Sequence, residues 1–415
     1  MKRYVVIGNG VAAAGCIEGI RAVDGKGSIT VISEESHPVY CRPLISYYLE
    51  GKTELGKIGY RENGFYEKNG VKVIYGKKAV KIDADAHTVL TDEGKTIKYD
   101  SLCVATGSSP FLPKFEGIES VPKRFSFMTL DDALALDEAV TRESKVLIVG
   151  AGLIGLKCAE GLNGRVASIT VCDLADRILS SIFDVETAAV MQKHIEKNGI
   201  SFMLSDTVER FDGGRAYMKS GAIVDFDILV TAVGVRANTS LVSEAGGTVG
   251  RGISVEDDMK TSLPDIYAAG DCTEGMDISL GKKRVLALLP NAYMQGKCAG
   301  ENMAGGSARY SNAIPMNSIG FFGLHAMTAG SYFPDDQECA VYKYEGDGYI
   351  KKFFVKNGVL CGYILIGDVD KAGIYTSLIR ERTPVDSVDL KLLMEHPTFS
   401  AFSQSTRRKN FGGVI

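Results

Sequence analysis

One hydrophobic pattern occurs twice along the chain. In "YVVIGNGVAAAG", a β-branched run at Tyr4–Ile7 gives way to a glycine turn and then to a small-residue stretch. "KVLIVGAGLIGLKCAEGL", from Lys145, repeats the order. A short apolar run closed by glycine reads as a strand buried on both faces, and the stretch after it reads as a helix. Each unit then meets a second β run ending in an acid: "SITVISEE" with Glu34, and "SITVCD" with Asp173. Each later reaches a further apolar strand closed by a small-residue turn, "SLCVATGSSP" and "DILVTAVGVRAN". Gly8 and Gly150 are therefore equivalent. The pattern predicts an α/β fold with two Rossmann-like dinucleotide-binding domains. After Gly306 the runs "AVYKY", "IKKFFV" and "VLCGYILIG" predict a β meander followed by helices, a small α+β C-terminal domain.

The glycines have separate tasks. The first permits the tight turn, the second lets backbone approach a pyrophosphate, and a third small residue lets helix pack on strand. These are Gly8, Gly10 and Ala13, with Val11 and Ala12 in the same turn, and then Gly150, Gly152 and Gly155, with Ile154. An acid after the second strand accepts ribose hydroxyls and disfavours a 2′-phosphate, so Asp173 favours NADH over NADPH. Arg177, in the following "LADR", pulls the other way. A lone loop of this kind reads equally as a plain glycine turn; two in full context point to two nucleotide sites. In "TSLPDIYAAGDCTEG" a short strand is expected to end with Asp271 at a strand-to-helix junction. That carboxylate would either bond a polyol beside a phosphate or simply cap the helix.

Composition narrows the function classes. With 415 residues, two or three domains are expected. A net charge of −4 gives no general reason to bind nucleic acid or an anionic membrane. The nine cysteines show no CxxC and no metal-ligand spacing, which favours a reducing compartment, buried thiols and no metal site. The N-terminal "MKRYVVIGNGVAAAGC" resembles a lipoprotein signal, but Gly8, Asn9 and Gly10 break its apolar run. The longest charge-free stretch, Ser311 to Phe333, contains Pro315 and three glycines and makes a poor membrane helix. The expected location is cytoplasmic.

"YAAGDC", "VATG" and the two glycine units in this order resemble the FAD- and NAD(P)H-binding, two-dinucleotide-domain flavoprotein reductases of glutathione-reductase-type fold. The resemblance implies FAD on residues 1–110 and 236–305, NADH on 111–235, and a flavin-covering or interface domain at 306–415. It places Gly10 on the FAD diphosphate, Glu34 on the adenosine ribose, Arg42 along the flavin and Asp271 on the ribityl chain. Val80 would meet adenine through its backbone, Thr106 and Gly107 would line the FAD loop, and Gly234 would line the NADH loop. "IPMNSIGFFGL", "GVLCGYILIGDVDKAGIYTSLI" and "NAYMQGKCAGENMAGG" are similar to NADH:rubredoxin oxidoreductase and to the N-terminal half of the nitrite reductase large subunit. Siroheme and cluster cysteines of the latter are not expected here.

Two departures stand out. Where many relatives read "RPPLSK", this chain ends in Tyr47; where they read "GLEAA", it has Lys157. The acid–base pair beside the flavin is thus changed at both ends. Lys157 either supplies a positive charge near the flavin or points to solvent. Cys41, in "VYCRPLISYYLEG", lacks a nearby second cysteine and is expected to be redox-silent. The basic clusters Lys282, Lys283, Arg284 and Arg407, Arg408, Lys409 would either steer an acidic carrier or be solvated faces. The function expected is electron transfer from NADH through FAD to a small carrier such as rubredoxin, or a similar iron–sulfur or flavin protein. Competing readings are a redox subunit of a multi-protein complex, an NADH oxidase acting on oxygen, and a flavin-bearing interaction protein. A homodimer is compatible with all of them.

Overall fold

The structure, a computed structural model, describes residues 1–331 and 338–410, with side chains up to residue 408. Tyr332 and Phe333 of the charge-free stretch, and the Lys409 side chain of the C-terminal basic cluster, lie outside the described residues. The chain divides into two compact units. The first comprises Met1–Asp176, Gly199–Met276 and Lys282–Ala313; the second comprises Arg177–Asn198, Asp277–Gly281 and residues from Ile314 on.

The first unit holds two five-stranded sheets, parallel throughout. One is built from β1 (Arg3–Ile7), β2 (Ser28–Ile32), β3 (Val71–Ile74), β4 (Ser101–Val104) and β10 (Ile266–Ala268), in the order β10-β4-β1-β2-β3. The other uses β5 (Arg124–Phe125), β6 (Lys145–Val149), β7 (Ser168–Asp173), β8 (Ile200–Leu204) and β9 (Ile228–Thr231), in the order β5-β9-β6-β7-β8. β1 and β6 are central in matching ways: Tyr4 pairs with Ile29 and Ser101, and Val146 pairs with Ile169 and Ile228. The sequence echo is thus a structural one. The strands of the second sheet lie in the chain between β4 and β10, so the first sheet takes its last strand from beyond the second.

Helices α1 (Val11–Val23), α2 (Leu44–Leu49), α3 (Leu130–Ala139), α4 (Leu153–Leu162), α5 (Val185–Glu196), α6 (Leu289–Met303) and α7 (Ala372–Arg380) are used below. α1 and α6 cross with backbones touching. A Cβ on Gly15 or Gly19 would overlap the Tyr293 or Lys297 carbonyl of α6, and one on Gly296 or Gly300 would overlap the Ala12 or Cys16 carbonyl of α1. Glycine four residues apart on both helices is what admits this approach.

In the second unit, β11 (Met316–Phe321), β12 (Leu324–Gly330), β13 (Ala340–Gly346), β14 (Tyr349–Lys356) and β15 (Val359–Ile366) form an antiparallel sheet, β11-β12-β15-β14-β13. The predicted runs are β13 to β15. β11 and β12 are two further strands whose glycines blur the alternation. Phe353, Tyr363 and Leu365 of the sheet pack with Tyr375, Leu378 and Ile379 of α7. α5 belongs to this unit as well, and Asp184 at its N-terminus meets Lys352 at 2.6 Å. No described helix is long and apolar enough to cross a membrane.

Candidate dinucleotide and flavin site

Both glycine turns adopt the conformation their sequence demands. Gly8 has φ +106° and Gly150 φ +116°, and a Cβ on either would overlap the carbonyl of Ala105 or Ala232 at the end of the neighbouring strand. Gly10 and Gly152 differ: a Cβ there would meet nothing within 4 Å. Each is the N-cap of its helix, α1 or α4, and neither helix has a side-chain cap. Elsewhere caps are present, for Thr129 caps α3 with a full capping box and Asp184 caps α5. Helix N-termini left open beside empty space fit the diphosphates of two dinucleotides, since their first N–H groups lack intrahelical partners. Gly155 closes the second turn, where a Cβ would overlap the Gly150 carbonyl. In the first turn Ala13 is fully buried and serves instead.

Around the first turn, the segment after β2 brings several groups together. Arg42 pairs with Glu35 at 2.5 Å and donates to the Met128 carbonyl at 2.9 Å. Tyr40 donates to the other Glu35 oxygen at 2.6 Å. Glu35, absent from the sequence reading, therefore holds Arg42, while Glu34 turns outward to Lys78 at 2.9 Å with 68% of its side chain accessible. Burial raises the Asp271 carboxyl above its usual range, against the opposing pull of Arg42. This acid does not start a helix: the chain continues into a strand, Thr273–Asp277. The helix-cap alternative therefore fails, because the chain passes through the single turn residue Cys272 into that strand. At Val80 the ladder between Ala79–Asp83 and Thr88–Thr91 shifts register, which takes its backbone out of the regular pairing.

Beside the short ladder that pairs the two crossings between the sheets, Asn238 ties them further. Asn238 donates to the Thr106 carbonyl and Thr106 Oγ1 donates to the Asn238 carbonyl, both at 2.9 Å. Gly107 (φ +64°) and Gly234 (φ +112°) sit at these crossings with nothing within 4 Å of a built Cβ. The Ser108 hydroxyl, next to Gly107 in the chain, is buried and lacks a hydrogen-bond partner. An orphaned hydroxyl beside an open glycine cradle fits a bound polar cofactor.

In the second sheet, Asp173 Oδ2 accepts from Ala151 N at 2.6 Å and Oδ1 from Ala175 N at 2.8 Å. The carboxylate thus faces the glycine turn, with Ile154 in the helical turn behind it. Arg177, the competing cation, donates to the Phe183 carbonyl at 3.2 Å.

Tyr47 and Lys157 meet across α2 and α4. The Lys157 ammonium lies 5.6 Å from the Tyr47 ring centroid, and Lys52 lies 5.9 Å from it. Lys157 also pairs with Glu160 at 2.6 Å, a carboxylate with 6% of its side chain accessible. The lysine is therefore engaged rather than solvent-pointing. Glu160 escaped the sequence reading because an acid three residues after a lysine is ordinary helix-surface chemistry. Cys41 is half-buried, and burial raises its thiol. The other eight cysteines are buried. Lys283 is anchored to the Val255 carbonyl at 2.9 Å and to Glu256 at 3.2 Å. Among the described residues no group of His, Cys, Asp and Glu is arranged to hold a metal.

Comparison with known proteins agrees with this geometry. Residues 2–296 match the family model for pyridine nucleotide-disulphide oxidoreductases, and residues 315–383 match the C-terminal domain of rubredoxin NAD+ reductase. The chain is 32% identical to the NADH-dependent phenylglyoxylate dehydrogenase subunit epsilon of Aromatoleum evansii, over 92% of each chain. It is also 32% identical to the assimilatory nitrate reductase electron transfer subunit of Bacillus subtilis, covering 92% of this chain and half of that one. NADH:rubredoxin oxidoreductase from Clostridium acetobutylicum is similar in structure, with a TM-score of 0.76 and 25% identity over 93% of this chain and 96% of that one. The chain therefore belongs to the pyridine nucleotide-disulphide oxidoreductase family, as an NADH-dependent flavoprotein oxidoreductase that uses FAD and NADH.

Proposed function

We propose that this protein takes electrons from NADH and passes them through FAD to a one-electron carrier protein of the rubredoxin kind. The observation that carries this reading is the state of the thiols. Eight of nine cysteines are buried, and Cys41 is half-buried, with burial raising its thiol. A chain of a disulphide-reductase family without a reactive thiol has its flavin as the exit for electrons. FAD, when bound, supplies a two-electron acceptor that returns electrons singly.

In this reading residues 1–110 and 236–305 carry FAD, 111–235 carry NADH, and 306–415 cover the flavin. Gly8, Gly10, Val11, Ala12 and Ala13 cradle the FAD diphosphate, with Arg42, Asp271, Thr106 and Gly107 along the rest and Val80 at the adenine. Glu34 takes the adenosine ribose once it leaves Lys78. Gly150, Gly152, Ile154, Gly155 and Gly234 receive NADH, and Asp173 selects it by excluding a 2′-phosphate. Lys157, beside the Tyr47 ring, provides positive charge near the flavin.

A second reading has support from the relatives' names. Two are subunits, one of a phenylglyoxylate dehydrogenase and one of an assimilatory nitrate reductase. The acceptor would then be a fixed partner within a complex. One stopped-flow comparison decides: the NADH-reduced protein is mixed with rubredoxin, ferredoxin, flavodoxin and oxygen. Reoxidation fastest with an iron–sulfur carrier is expected. Oxygen reoxidising it as fast as any carrier would overturn the carrier reading in favour of an oxidase. Slow reoxidation by all four, with a co-purifying partner, would favour the subunit reading.

A further inference from the structure

We infer that Asn238 is a positioning residue for hydride transfer, clamping the two chain crossings between the FAD-binding and NADH-binding parts. This deepens the functional reading above and rests on it.

The chain passes between the two parallel sheets twice, at Ser108–Pro110 and at Val235–Ala237, and these segments pair with each other antiparallel. Three residues a side is a short ladder. Just beyond it, Asn238 ties the first crossing with four hydrogen bonds. Its backbone N–H donates to the Gly107 carbonyl at 3.0 Å, and its carbonyl accepts from Thr106 Oγ1 at 2.9 Å. Its side-chain Nδ2 donates to the Thr106 carbonyl at 2.9 Å, and its Oδ1 accepts from Ser109 Oγ at 2.8 Å. Donor and acceptor ends of one amide are thus both used, on residues either side of Gly107 and Ser108. No other side-chain type of this size offers both ends in that plane.

The position gives the clamp its meaning. Gly107 has a left-handed backbone with open space at its Cα, and Gly234 has the same at the other crossing. Glycine at both crossings makes them the soft points between the sheets. Hydride transfer requires its two reacting atoms within about 3–3.5 Å, and a shift of about 1 Å costs on the order of 10²-fold in rate. A residue that stitches one soft crossing to the other fixes how the FAD loop meets the NADH part.

Asn238→Ala and Ser109→Ala test this in the full chain; the second removes one bond at an exposed hydroxyl and leaves the fold intact. Three readouts are needed: flavin reduction by saturating NADH in stopped flow, FAD affinity, and amide hydrogen exchange of residues 106–109 in the apoprotein. For Asn238→Ala the expected reduction rate falls about 10²-fold, FAD affinity changes less than about threefold, and exchange at 106–109 rises. Ser109→Ala should move rate and exchange the same way by a smaller factor. Dithionite-reduced flavin should be reoxidised by ferricyanide at the wild-type rate in both variants. An unchanged reduction rate, or a loss explained wholly by lost FAD, would overturn the assignment. If NADH fails to reduce the wild-type flavin, the functional reading falls. Unchanged exchange in the apoprotein would independently overturn the clamp.

Discussion

The two glycines of one turn should respond in opposite ways to the same methyl group. At Gly150 the backbone has φ +116°, a region that costs an alanine about 1–3 kcal/mol, and the added Cβ would overlap the Ala232 carbonyl besides. β9 runs directly into that carbonyl, so relief requires moving a strand end. Gly152 has φ −82° and ψ −173°, extended backbone that alanine adopts freely, and empty space beyond its Cα. Stiffening the unfolded chain gains about 0.4–1 kcal/mol, and the loss of glycine at an N-cap costs a similar amount, so stability should barely change. The empty space is where the NADH diphosphate is proposed to lie, so the methyl group acts on binding. Gly152→Ala should keep its Tm within about 2 °C of wild type and raise the KM for NADH by about 10- to 100-fold, or about 1.4–2.8 kcal/mol. Gly150→Ala should lose about 1–2 °C of Tm for every kcal/mol of strain. Thermal melts by circular dichroism, flavin absorbance and NADH titration of flavin reduction check each part. A Gly152→Ala protein with wild-type NADH affinity would falsify the placement of the diphosphate, and a Gly150→Ala protein as stable as wild type would refute the strain argument.

Lys352 is 7% accessible and meets Asp184 at 2.6 Å and Glu186 at 2.7 Å. Lys352→Met should therefore cost about 3–5 kcal/mol, read from the urea midpoint of the full chain, with part recovered on adding Asp184→Asn. Burial raises the Asp184 carboxyl, but Lys352 and Thr187 outweigh it and hold the group below its ordinary range, and Glu186 is held low by Lys343 and Lys352. Their contribution is complete above the usual carboxylate range and is lost as pH falls through the depressed folded values, so acid unfolding should be shallower in Lys352→Met. Lys157→Met should slow hydride transfer by about tenfold and lower the flavin potential; two unchanged values would remove Lys157 from the flavin chemistry. Cys41→Ser should leave NADH-driven reduction of a carrier at the wild-type rate, and Cys41 should alkylate slowly at pH 7 because burial raises its thiol. A large loss of turnover in Cys41→Ser would return the thiol to the mechanism.

The two nucleotide units were legible because their requirements are local. A positive φ at Gly8 and Gly150, an uncapped helix start at Gly10 and Gly152, and a β-branched run before each turn are properties of a few consecutive residues. The strand-end acid is also local, and Asp173 sits as its position implies. Which of the adjacent acids Glu34 and Glu35 would meet Arg42 was not legible, because Arg42 and Tyr40 together draw in Glu35. The same limit applies to Asp271: the strand before it was legible, though it ends at Ala268, while the strand after it was not.

Other features exist only where distant segments meet. Gly15 and Gly19 of α1 look like weak helix formers until Gly296 and Gly300 of α6 lie against them. Residues 177–198 read as part of the second nucleotide unit, yet they pack with the C-terminal sheet, because Asp184 and Glu186 are partners for a lysine buried within it. Asn238 is one polar residue in a turn until the chain brings Thr106 and Ser109 to it from 132 and 129 positions away. By itself the sequence determined the backbone conformations that a dinucleotide requires, since φ and capping depend on neighbours in the chain. Tertiary structure alone decided which acids, cations and amides face one another, since a charge or hydrogen bond takes its meaning from the group opposite.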